Sequence, residues 1–192
     1  MNTLMNTFMK HRPLVFVDIE TTGGSARESR ITEIGALRVE KGRIVRKFSQ
    51  LLDPRQPIPA FITKLTGISD AMVTGQPTFA DIADELDELF EDAIFVAHFV
   101  QFDYGFIKQE FGRAGREFNM DRLCSVRLDR RLYPGQPSHG LDKVIERMGL
   151  TVANRHRAYD DAEVIWKMFR QEYEKDSLEL FRTMQKVLVL TK

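Results

Sequence analysis

Leu14-Val15-Phe16-Val17-Asp18-Ile19-Glu20 decides how this chain is read. Its β-branched and aromatic residues mark a buried strand, and Thr21-Thr22-Gly23-Gly24 ends it in a loop. Within it stand two acids, Asp18 and Glu20, two positions apart and so on one face of the strand. Two like charges about 4 Å apart repel by roughly 1 kcal/mol in water and roughly 4 kcal/mol at an effective dielectric of 20. A fold that keeps such a pair on an apolar strand needs compensation. A divalent cation supplies it directly. Alternatively, one acid caps the following loop and the other pairs with an arginine such as Arg27 or Arg30.

Working outward, Ile31 to Val39 and Ile44 to Leu52 are two further strand-like runs joined by a turn at Lys41-Gly42, which reads as a hairpin. A proline-rich passage (Pro54, Pro57, Pro59) leads to a short helix up to Leu65, broken by Gly67. Thr78 to Phe90 has helical spacing, with Phe79, Ile82, Ala83 and Leu86 on one side and acids on the other. Ala93 to Ala97 is an apolar strand, and Phe102, Phe106, Ile107 and Phe111 form a helix stripe after it. A strand over Leu123 to Val126 follows. A helix marked by Leu141, Val144, Ile145 and Met148 comes next, with Ser138 as its expected cap and Gly149 as its stop. A long helix begins after Arg157, and an amphipathic one spans Ser177 to Leu190. An early hairpin and then strands alternating with helices predict an α/β protein, a mixed sheet covered on both faces.

The 192 residues are 43% hydrophobic, enough for one compact domain. Twenty-eight basic residues balance 28 acidic ones, which argues against coating nucleic acid by bulk attraction. The distribution is uneven: Arg122 to Arg157 holds 8 bases and 3 acids, whereas Thr78 to Asp92 holds 7 acids and no base. Cys124 is the single cysteine, so an internal disulfide is excluded, a Cys/His zinc site is disfavoured and a reducing, cytoplasmic setting is expected. No apolar run reaches the roughly 18 residues of a membrane span. Residues 1–12 read as a flexible N-terminal extension.

Three more polar residues interrupt apolar patterns. Asp103 lies in the first turn of its helix, where the helix dipole alone justifies an acid. Asp161 sits between Ala158 and Ile165 on an inward face, where a salt bridge is the plain explanation; Asp160 points about 100° away from it, as a solvated acid. His156 precedes that helix on a loop, five residues from Asp161, and is able to lean over a site that Asp161 holds rigidly. His11 and His139 read as bystanders.

Taken together, these segments resemble a known family. Val17-Asp18-Ile19-Glu20-Thr21-Thr22-Gly23 resembles the first exonuclease motif of the DnaQ-like, DEDD 3′→5′ exonucleases, and Ala97-His98-Phe99-Val100-Gln101-Phe102-Asp103 resembles the second. His156 to Ala162 resembles the third, with histidine five positions before Asp161. That spacing matches the histidine subclass (DEDDh), which includes the proofreading epsilon subunit of bacterial DNA polymerase III. In order the motifs cover about Pro13 to Glu174.

The resemblance implies a ribonuclease H-like five-stranded sheet, with an exonuclease domain over 13–176 and a C-terminal helix over 177–192 packed on the domain or at an interface. It implies metal-dependent hydrolysis from the 3′ end of single-stranded DNA, releasing nucleoside 5′-monophosphates. Asp18, Glu20, Asp103 and Asp161 would hold two Mg²⁺ or Mn²⁺ ions, and His156 would take the proton of the attacking water. Thr21, Thr66 and Phe102 would meet the terminal nucleotide. A polymerase or a second copy is the expected partner of the C-terminal helix. RNA as the substrate, or a non-catalytic polymerase-docking module, are the alternatives. Phe99 stands where the family usually has Asn, a departure that bears on substrate preference.

Overall fold

The computed structural model describes residues 12–191; residues 1–11, with His11 and most of the N-terminal extension, and Lys192 lie outside the described residues. Strands β1 (Leu14–Thr21), β2 (Ile31–Glu40) and β3 (Arg43–Leu51) form an antiparallel meander. Lys41 and Gly42, both with positive φ, make the tight turn between β2 and β3, as their sequence predicts. Strands β4 (Ile94–Ala97) and β5 (Arg122–Cys124) add in parallel, giving the order β3-β2-β1-β4-β5. The mixed five-stranded sheet flanked by helices is the architecture expected.

Strand alternation distributes the side chains of β1 between two cores. Val15, Val17 and Ile19 join one with Phe79, Leu86, Phe106 and Phe111. These come from α3 (Ala83–Phe90), the turn before it and α4 (Val100–Arg113). Leu14 and Phe16 join the other with Ile165, Met168 and Phe169 of α7 (Ala158–Val187). Phe16 meets Phe169 edge-on at 5.0 Å. Asp18 and Glu20 continue the even-numbered face, so they project to the α7 side at the strand end. Two short helices, α1 (Ala60–Thr66) and α2 (Asp70–Val73), precede α3; α5 (Ser125–Leu132) and α6 (Leu141–Met148) precede α7.

Several boundaries differ from those expected. The strand near Leu123 ends at Cys124, and Val126 belongs to α5, which starts at once with Ser125. Gly140, not Ser138, is the N-cap of α6, while Gly149 in left-handed conformation stops that helix as foreseen. The two C-terminal helices are one run, kinked at Asp176 (φ −156°, ψ 90°), whose Oδ1 accepts the N–H groups of Leu178 and Glu179. That run stops at Val187 rather than Leu190. Val189 instead exchanges backbone hydrogen bonds with Arg122, which closes the chain against β5. Met184 joins the second core, and Phe181 and Leu188 pack against it. No helix among the described residues is long and apolar enough to cross a membrane.

One contact fixes where α7 begins. A Cβ on Gly35 of β2 would lie 2.0 Å from the backbone nitrogen of Tyr159 and 2.1 Å from the carbonyl carbon of Ala158. Only glycine lets the helix start touch the sheet here, and Gly35 is the register partner of Asp18. Gly35→Ala should therefore push the α7 start off β2 and lower the unfolding free energy by at least about 1–3 kcal/mol, read from urea melts. A change below about 0.5 kcal/mol would show that the helix start is not held by this contact.

Candidate active site

Close approach at Gly35 sets α7 against the end of β1, and the other acids follow from it. Asp161, in the first turn of α7, is buried; Asp18 and Glu20 are half-buried beside it. Ligand atoms of Glu20, His156 and Asp161 all lie within 4.8 Å of one another, a grouping able to hold a metal ion. Asp103 comes from the start of α4, across the parallel β1–β4 edge, and is 2% exposed. Backbone N–H groups of Asp103 itself and of Ile19 donate to its carboxyl, tying it to β1.

These carboxyls disturb one another. Burial, then the charges of Asp103, Asp161 and Glu20, push Asp18 well above the usual carboxylate range, with Arg155 pulling the other way. Burial raises Glu20 to about 8, helped by Asp161 and Glu33. Burial also takes Asp103 to about 8 and raises Asp161, which Arg155 partly offsets. Of the Asp161 oxygens, Oδ2 accepts from Arg155 Nη1 and from the His156 N–H at 3.2 Å. Oδ1 is buried without a hydrogen-bond partner among the described residues. A buried carboxylate oxygen left unpaired is expensive, and a hard cation is the natural partner for it. The donors present, four carboxylates and an imidazole, fit such an ion.

Of the two arginine partners considered from sequence, Arg30 is engaged elsewhere, and Arg27 is exposed with no ion pair among the described residues. Arg30 makes a two-point contact with buried Glu110 (2.6 and 2.9 Å), and the backbone oxygens of Ala26 and Arg27 accept from Arg113. Arg155 is the cation that faces the acids. Thr21 and Thr66 are buried with their hydroxyls in local bonds, Thr21 donating to the Gly23 carbonyl and Thr66 to the Ile62 carbonyl. Phe102 is partly open to solvent and leans on Phe106 at 4.8 Å. Phe99 has left-handed backbone (φ 62°, ψ 50°) and an exposed ring. Asn tolerates that conformation far better than Phe, a physical reason for the residue usual at this position. His139 is no bystander: its Nδ1 meets Oδ2 of buried Asp129 at 2.6 Å.

Sequence reasoning missed Glu33. This β2 residue, register partner of Glu20 and 1% exposed, accepts from Arg157 Nη2 at 2.6 Å and from the Ala158 N–H at 3.1 Å. It therefore caps the first turn of α7 from the neighbouring sheet. Its signal was an acid inside the apolar run Ile31 to Val39. Asp142, which holds Arg155 Nε at 2.7 Å, gave no signal.

Comparison with known proteins places these residues in a family context. The exonuclease family model named for RNase T matches residues 15–169. The 3′-5′ exonuclease DinG of Bacillus subtilis (strain 168) is 38% identical over 169 residues, covering 87% of this chain and 18% of that protein. The DNA polymerase III subunit epsilon of Aquifex aeolicus (strain VF5) is 38% identical over 156 residues, covering 81% of this chain and 77% of its own. Thus the chain spans most of one such relative and under a fifth of another. Among solved structures, Exonuclease X in complex with 5′ overhanging duplex DNA has a TM-score of 0.71 at 24% identity, covering 90% of this chain and 98% of its own, a likeness of fold.

The raised carboxyls give stability a defined pH dependence. Glu20 and Asp103 rise from 4.5 and 3.8 to about 8, so between these limits the folded chain binds more protons than the unfolded one. Stability is then greatest below about pH 4 as far as these groups decide it, and it is lost as pH rises toward 8. Without added metal, the melting temperature should fall from pH 5 to pH 8 more steeply in the wild type than in Asp103→Asn. Manganese should raise it far more at pH 8 than at pH 5. Parallel melting curves for the two proteins would contradict this account.

Proposed function

The chain belongs to the RNase T-type exonuclease family, and on that footing we propose that it removes nucleotides from the 3′ end of single-stranded DNA as 5′-monophosphates. One observation carries the reading: four carboxyls and a histidine from three distant segments meet at one sheet end, with Asp161 Oδ1 unpaired there. The name of the Aquifex relative favours DNA over RNA.

Asp18, Glu20, Asp103 and Asp161 would hold two divalent ions, Mg²⁺ or Mn²⁺, which would supply charge stabilisation to the attacking and leaving oxygens of an in-line displacement. His156 accepts the proton of the attacking water at a ring nitrogen, from a loop that leaves the ring half open to solvent. Phe102 offers its exposed face to the terminal base. Thr21 and Thr66 act through the loops that their hydroxyls brace.

Charge for the phosphates comes from fewer residues than the basic stretch suggests. Arg147 pairs with Asp129, Lys143 with Glu146, Arg155 with Asp142 and Asp161, and Arg157 with Glu33. Arg127, Arg130 and Arg131, exposed on α5, have no ion-pair partner among the described residues and face solvent ready for a nucleic-acid strand.

Asp18→Ala and Asp161→Ala should each abolish Mg²⁺-dependent shortening of a 5′-labelled single-stranded oligonucleotide. His156→Ala should slow it by about 10²–10⁴-fold. Shortening at the wild-type rate in either aspartate variant would defeat the assignment, and a His156 variant within twofold of wild type would mean another group is the base.

A further inference from the structure

The loop 149–157 between α6 and α7 has no regular structure, yet three consecutive residues near its end tie it to three elements. Arg155 donates through Nε to Asp142 Oδ1 of α6 at 2.7 Å and through Nη1 to Asp161 Oδ2 of α7. His156 donates its backbone N–H to that same Asp161 oxygen. Arg157 grips Glu33 of β2. Between two such tethers His156 sits at φ 62°, a left-handed conformation that an L-residue holds only where its surroundings enforce it.

Asp161 is thereby used asymmetrically. Arg155 and the His156 amide occupy Oδ2, and Oδ1 stays buried and unpaired. A carboxylate free to rotate would offer either oxygen; this one offers a single oxygen in a fixed direction. Arg155 itself is held at two points, and a planar guanidinium spans two carboxylates in a way a lysine cannot.

We propose that Arg155, braced by Asp142, is a positioning residue: it pins one oxygen of Asp161, leaves the other for the cation and sets the loop from which His156 faces the site. The proposal rests on the nuclease reading for its effect on rate, but not for its effect on the loop. Asp142 itself touches no reacting group and its side chain is 73% exposed, so its removal tests positioning with little effect on folding.

The experiment compares full-length wild type, Asp142→Ala and Asp142→Glu. In the metal-free protein, amide hydrogen exchange over residues 151–157 should be at least tenfold faster in Asp142→Ala, with exchange in β1 and β4 unchanged. With saturating manganese and a single-stranded oligonucleotide, kcat should fall about five- to tenfold while KM stays within twofold. Asp142→Glu should restore both readouts to within twofold. Equal loop exchange in wild type and Asp142→Ala would overturn the proposal whatever the activity, and so would a loss confined to KM. Wild-type protein that releases no nucleotide would sink the nuclease reading instead, while the exchange comparison would still decide the positioning role.

Discussion

Repulsion among carboxyl groups that the fold forces together at one sheet end is the constraint to which the neighbouring structure answers. Asp18 and Glu20 arrive there through the strand period, Asp161 through the contact at Gly35, and Asp103 through the parallel pairing of β4 with β1. Each placement follows from packing of apolar neighbours, so the cost of gathering charge is met by the cores beneath it. The compensations are visible one by one. Arg155 lowers Asp18, Glu20 and Asp161; backbone N–H groups lower Asp103; and Arg157 engages Glu33, whose charge still adds to the load on Glu20. They leave the balance incomplete, since Glu20 and Asp103 still stand at about 8. An incomplete balance is what a cation-binding pocket requires: full internal neutralisation would remove the reason for an ion to bind.

Much of this was legible because it rests on local pattern. The alternation in Leu14-Val15-Phe16-Val17 fixes which face of β1 carries Asp18 and Glu20, and Lys41-Gly42 and Gly149 mark turns through backbone preferences that act over a few residues. The His156–Asp161 spacing likewise survives folding intact, because one helical turn separates a loop residue from a rigid one. What escaped was set by tertiary contact. Nothing near Glu33 in sequence says that Ala158, 125 positions away, will need its carboxylate as a cap. The excess of bases between Arg122 and Arg157 counted charge without partners, and folding pairs four of them with acids from α5, α6, α7 and β2.

Rigidity is not evenly spread across the site. Three carboxyls stand on elements with a core behind them: Asp18 in a central strand, Asp103 above Phe106 and Phe111, and Asp161 above Ile165 and Met168. His156 has no such backing and depends on polar tethers at Arg155 and Arg157. That division suits the two tasks proposed for these residues, holding a cation and accepting a proton. Ligands of a hard cation must hold fixed distances against mutual repulsion, which packing does well. A proton acceptor has to approach a water molecule and then release the proton to solvent, which needs an open, adjustable ring. A polar tether can slacken and reform without disturbing the core, whereas a packed one cannot, so on the proposed reading a charged clamp on the loop would keep the histidine aligned and still let it exchange protons with water.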